Sequence, residues 1–216
     1  MAKQIEGVYE KVLECARVEF LDKGYNDASL RTIAQNAGSS TGSIYTRFGD
    51  KKGLFYALVS PAVDGLKEWF GYEQEIFDKR NIVDKKIDSF DYSRDKFVAF
   101  FDYVYDHYDE FKLIISCSEG TVFSTFIHDI VLVDVEYTLK FIRDTNPELL
   151  ETGIVTEGLI HMLSSGFFIG IFETIVHDMD KESAQKHVRK MQHFYQVGWK
   201  DLMAGGNDAE KSGCAY

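Results

Sequence analysis

An all-α fold of about nine helices is the architecture this sequence predicts, and three observations predict it. Apolar residues recur at intervals of three and four along most of the chain, as the buried face of a helix requires. No run alternates long enough with the period of two that a half-buried strand needs. Only 2 prolines punctuate the 216 residues, and no repeat of solenoid length is visible.

Taken in order, Lys3 to Leu21 carries Ile5, Val8, Val12, Ala16 and Phe20 at helical spacing, a first amphipathic helix that Gly24 ends. Ser29 precedes Leu30, Ile33, Ala34 and Ala37, a second helix of about two turns. Ser29 or Asp27 is placed to cap its first amides, and Gly38 to stop it. A third helix opens near Ser40 or Thr41 and runs to Phe48, with Ile44 and Phe48 on its apolar side. Gly49 and Asp50 break and recap the chain before Lys51 begins a longer fourth helix. Two short helices joined tightly through a glycine form a helix-turn-helix.

Pro61 lies about ten residues into the fourth helix, where its missing amide and its ring predict a kink or an end. Helix resumes through Trp69 and Phe77. Residues 78–92, DKRNIVDKKIDSFDY, are charged and weakly periodic, and are expected to be a mobile connection. Helix is then expected from near Ser93 to about His107, over a short stretch capped by Asp109, and from Thr121 to about Thr145. Pro147 suits the first position of a helix reaching about His177, and a last helix runs from Ser183 to about Ala204. The tail GGNDAEKSGCAY is expected to be loose. The domains predicted are residues 1–50, residues 51–204 with the fourth helix as connector, and the tail 205–216.

A formal charge of −11 argues against a chain that coats nucleic acid or anionic membrane with its whole surface, but the charge is unevenly placed. Residues 1–52 are net +1 and residues 53–216 net −12. Within 28–52, Arg31, Arg47, Lys51 and Lys52 stand against Asp50 alone, a local positive patch. The amino terminus lacks the apolar core of a signal peptide, so a cytoplasmic protein is expected. Cys15, Cys117 and Cys214 fit no disulfide or metal framework and are expected to be free thiols.

The third helix carries a hydroxyl-rich outer face. A helix entering a major groove needs small side chains at its first turn, so that backbone approaches DNA, and groups that bond phosphate or base edges. Ser40, Thr41, Gly42 and Ser43 meet that need. Tyr45 and Arg47 extend from the same helix toward phosphate or a guanine edge, and Thr46 toward a base methyl. Lys51 adds charge at the start of the fourth helix, and Ser29 places a second helix N-terminus on the same side. An ordinary hairpin with a solvated polar face is the competing reading.

The stretch ASLRTIAQNAGSSTGSIYTRFGDKKGLF resembles the signature of the tetracycline-repressor (TetR) family of bacterial transcription regulators. The resemblance spans roughly residues 5–60, and the rest is similar to the family only in length and helical character. It implies DNA-facing roles for Ser29, Ser40, Thr41, Gly42, Tyr45, Thr46, Arg47 and Lys51. Ser39 stands where the family often has an apolar residue and Thr41 where a lysine is common. One phosphate contact fewer shallows the salt dependence of binding by roughly one unit.

The C-terminal part is dense in aromatics, most of which must be core. The resemblance implies a ligand pocket among these helices, and Trp69, Tyr103, Cys117, Phe123, Phe126 and Phe168 are its expected lining. Cys117 reads either as a small buried apolar residue or as a redox sensor. Gly166 and Gly170, in GFFIG, allow close helix approach. They belong either to a dimerisation bundle with the last helix, as in the family, or to packing within the chain. Six histidines form no HExxH pair or catalytic order, so neither an enzyme nor a metal or other cofactor is expected.

Together these readings predict a homodimeric, ligand-responsive bacterial regulator, usually a repressor, that binds a palindromic DNA operator and releases it to a small apolar or aromatic effector. The alternative is a helical ligand-binding or adaptor protein with a vestigial DNA-binding domain, suggested by the net charge and by Thr41.

Overall fold

The computed structural model describes the backbone of residues 2–205, with side chains described for residues 7–85 and 93–205. Among the described residues the secondary structure is helix and turn, in the order α1 (Ala2–Asp27), α2 (Leu30–Asn36), α3 (Thr41–Phe48), α4 (Lys51–Asp78), α5 (Ile82–Asp106), α6 (Tyr108–Cys117), α7 (Phe126–Thr145), α8 (Glu148–Glu151), α9 (Glu157–Val176) and α10 (Lys181–Met203). The all-α class is as predicted. The expected loose tail, with Cys214, lies outside the described residues beyond Gly205.

The chain forms two compact units that do not follow sequence order: residues 1–70 with 102–126, and residues 71–101 with 127–216. In the first, Val12, Ala16 and Phe20 of α1 are buried with Ile33 and Ala34 of α2, Ile44 of α3, and Leu54, Phe55, Leu58 and Val59 of α4. The Phe20 and Phe55 rings meet edge to face at 5.1 Å, and Tyr25 meets Phe55 in the same way at 5.4 Å. α6 lies against α1. Tyr103 Oη donates to the carbonyl of Ala62 at 2.9 Å, in space left by the absent side chain of Gly65.

In the second unit α9 packs on α10. Phe100 meets Phe168 at 5.8 Å and Phe172 at 6.2 Å, and Phe167 meets Tyr195 at 5.1 Å. A Cβ on Gly166 would lie 2.7 Å from Tyr195 Oη, and one on Gly170 2.7 Å from Met191 Sδ. The two glycines therefore make room for α10 of the same chain. α9 is long and apolar enough to cross a membrane by length and composition; here its buried face is filled by side chains of this unit.

Four expectations for individual elements are corrected. The connection expected over 78–92 is helix from Ile82, because Asn81 caps α5 by accepting from Asp84 N at 2.9 Å. α6 opens one residue before Asp109, with His107 at its N-cap, so Asp109 sits in the first turn instead of capping it. The chain from Thr121 to Ser124 is a turn, where Thr121 Oγ1 donates to Ser118 O at 2.7 Å and accepts from Phe123 N at 3.1 Å, and α7 starts only at Phe126. The single helix expected from Pro147 is two, since Gly153 takes φ 75° and Thr156 recaps the chain by accepting from Leu159 N at 3.2 Å. Pro61 is exposed and α4 continues through it to Asp78.

Candidate nucleic-acid interface

The α2–α3 pair is built by local chemistry. Ser29 caps α2 by accepting from Thr32 N at 3.4 Å. At the other end Ser39 N donates to Ala34 O at 2.9 Å and Gly38 N to Gln35 O at 3.2 Å. With Gly38 at φ 63°, this is a Schellman closure, which only a residue free of Cβ strain completes cheaply. Ser40 caps α3 by accepting from Ser43 N at 3.1 Å. Gly49 at φ 81° then ends α3, and Asp50 Oδ1 accepts from Gly53 N at 2.7 Å to start α4.

This geometry puts Ile44 in the core and leaves Ser40, Gly42, Ser43, Tyr45, Thr46 and Arg47 exposed on α3, with Thr41 half-buried. Tyr45 is 52% exposed. Thr46 Oγ1 donates to Gly42 O at 2.9 Å, which engages its hydroxyl within the helix. The Arg47 guanidinium lies 4.5 Å from the centroid of the Tyr9 ring, and Tyr9 stacks on Phe48 at 5.6 Å. All eight sequence-predicted DNA-facing residues fall in the first unit.

Besides Ser40, which caps α3, Lys51 and Ser29 hold the fold as well. Lys51 Nζ donates to Asn26 O at 2.8 Å and Ala28 O at 3.2 Å, and lies 4.9 Å from the Tyr25 ring. It closes the corner between α1 and α2. Burial, and next the Asp50 carboxylate, push the Tyr25 hydroxyl above its ordinary pKa. Ser29 N donates to Glu19 Oε1 at 3.0 Å, so a carboxylate of α1 sits at the N-terminus of α2. Tyr9, Glu19 and Asn26 are the supporting residues that sequence reasoning missed. For Tyr9, an aromatic beside the apolar stripe of the first helix was the available signal.

The expected pocket residues divide between the units. Trp69, Tyr103, Cys117, Phe123 and Phe126 are in the first, where Phe126 meets Phe111 at 5.7 Å and Phe123 meets Phe55 at 6.2 Å; Phe168 is in the second. Cys117, Phe123, Phe126 and Phe168 are buried. Burial pushes the Cys117 thiol above its ordinary pKa, which favours the inert reading over a redox sensor. In the second unit an open groove of about 820 Å³ is walled by other residues, among them Asp78, Ile82, Val83, Lys85 and Asp144. Buried Lys85 is paired there with Asp144 at 3.3 Å.

Comparison with known proteins converges on the same segment. Residues 12–58 match the family model described as bacterial regulatory proteins, tetR family. Over 49 residues the chain is 43% identical to the HTH-type transcriptional repressor AcnR of Corynebacterium glutamicum, a match covering 23% of this chain and 26% of that one. Over 58 residues it is 38% identical to the HTH-type transcriptional regulator YvdT of Bacillus subtilis, covering 27% and 30%. The chain thus spans less than a third of the length of these curated relatives. A solved structure of a TetR-family regulator from Mesorhizobium loti is similar at a TM-score of 0.49 and 15% identity, over 88% of this chain and 95% of that one. The helix-turn-helix segment 12–58 is thus similar to the DNA-binding segment of the TetR family of bacterial regulatory proteins.

Proposed function

We propose that this protein is a cytoplasmic bacterial transcription regulator, acting as a repressor, that binds a palindromic operator as a homodimer and releases it when a small apolar or aromatic effector binds. The observation that carries this reading is the exposed face of α3. Ser40, Gly42, Tyr45, Thr46 and Arg47 project from a short helix whose other side is anchored by buried Ile44, within the family-matched segment. Residues 1–50 act as the DNA-binding domain and 51–204 as the effector and dimerisation domain.

The homodimer is supported by apolar side chains that α9 and α10 leave in solvent. Met162, Ile169 and Val176 recur every seven residues along α9 at 66%, 48% and 40% exposure, and Phe194 of α10 is 74% exposed. A two-fold copy covers such a stripe with itself and presents two α3 helices to successive major grooves. The effector acts by its differential affinity for the conformation that misplaces the pair.

The test is selection of bound duplexes from a randomised pool at about physiological salt, with a Tyr45→Ala, Arg47→Ala variant alongside. Enrichment of an inverted repeat by the native protein alone is expected. No enriched sequence, even from protein unfolded and refolded to strip ligand, overturns the reading and favours the adaptor. DNA affinity unmoved across a broad metabolite screen overturns the effector coupling alone.

A further inference from the structure

His128, in the first turn of α7, and His161, in the first half of α9, come from positions far apart in sequence to face one another, with ring centroids 6.0 Å apart and planes inclined at 60°. Both belong to the second unit. The His161 Nδ1 lies 3.5 Å from Ser165 Oγ, a local partner that orients the ring and leaves Nε2 for another. One turn further along α9, Ser164 Oγ donates to Asp134 Oδ2 of α7 at 2.6 Å. The spacing of the two helices is thereby held close to the pair.

We propose that His128 and His161 form a binding site for a divalent first-row transition ion, of which zinc is the probe. Neutral imidazole nitrogen is a preferred ligand for zinc, nickel and copper at about 2.0–2.1 Å. Two imidazoles sharing one tetrahedral ion have centroids about 5 Å apart, so the observed pair needs a shift of roughly 1 Å. His128 is exposed and His161 half-buried, which lets the first ring adjust while the second stays set. Among the described residues no group of three or more His, Cys, Asp or Glu is placed to hold a metal ion, so water completes the coordination. The ion would act as a clamp between α7 and α9, and this assignment is independent of DNA binding.

The full chain, stripped with EDTA, is titrated with zinc chloride and compared with His128→Ala, His161→Ala and the control His187→Ala on exposed α10. Expected are one zinc site weakened about tenfold or more by either of the first two substitutions and unchanged by the third. At zinc about tenfold above the native Kd, the thermal midpoint rises by about 3–6 °C in native and control proteins and not in the two variants. Without zinc, His128→Ala at an exposed ring should share the native midpoint, and His161→Ala at a half-buried ring should fall by no more than a few degrees, a baseline from which each zinc shift is read. Zinc binding equal in native protein and both variants, or none in the native protein, overturns the proposal.

Discussion

Arg17 Nη2 donates to Glu110 Oε1 at 2.8 Å, joining α1 to α6 across 93 positions of sequence. Asp109 is a weaker partner of the same guanidinium, at 3.5 Å and with its side chain 48% exposed against 18% for Glu110. A charge-assisted bond with little solvent screening contributes more than an exposed pair. Glu110→Ala should cost about 1–2 kcal/mol in urea unfolding, and Asp109→Ala less than about 0.5 kcal/mol. Equal costs would refute this ranking.

Thr41→Lys tests the α3 face directly. An added phosphate contact should steepen the dependence of log affinity on log salt by about one unit and tighten operator binding at low salt. An unaltered slope would place residue 41 away from the DNA backbone.

Lys51 should behave differently from Arg47. Its ammonium closes the α1–α2 corner through two carbonyls, so Lys51→Met should cost about 1–2 kcal/mol of stability as well as DNA affinity. Arg47→Ala, on an exposed side chain, should cost DNA affinity of about 1–3 kcal/mol with stability changed by less than about 1 kcal/mol. Thermal and binding midpoints for both variants decide it; a stability loss confined to Arg47 would contradict the assignment.

Gly166 and Tyr195 should show coupling. The Cβ of Gly166→Ala meets the Tyr195 hydroxyl, which must move aside while alanine gains helix propensity, so this substitution should destabilise by no more than about 1 kcal/mol net. Tyr195→Phe removes the obstructing oxygen and keeps the ring beside Phe167, so the double variant should recover most of the loss. A double-mutant cycle by urea unfolding measures it, and simple additivity would count against close packing here.

Asp134 gives a pH dependence of defined sign. Burial pushes its carboxyl above the ordinary carboxylate range, and the Ser164 hydroxyl only partly offsets this. The folded chain therefore holds this proton more tightly than the unfolded chain. Its contribution to stability is fullest below the ordinary carboxylate pKa and is lost as pH rises through the raised one. Asp134→Asn should be more stable than the native protein at pH 7, with the advantage shrinking toward pH 4. An advantage constant between urea titrations at the two pH values would contradict the burial argument.

What sequence alone determined is the helical class and the helix-turn-helix from Ser29 to Asp50. There Ser29, Gly38, Ser40, Gly49 and Asp50 act on backbone groups within a few residues of themselves, so identity at each position dictates geometry. Local signals misled over 78–92, where charge was read as a connection although Asn81 starts a helix. Tertiary structure alone decided that Lys51 reaches the carbonyls of Asn26 and Ala28, that Gly166 is filled by Tyr195, and that His128 faces His161. Those relationships depend on which helix faces meet after collapse. Burial of apolar surface drives that collapse without direction, and the polar neighbours it creates are set by packing rather than by their own position in the chain.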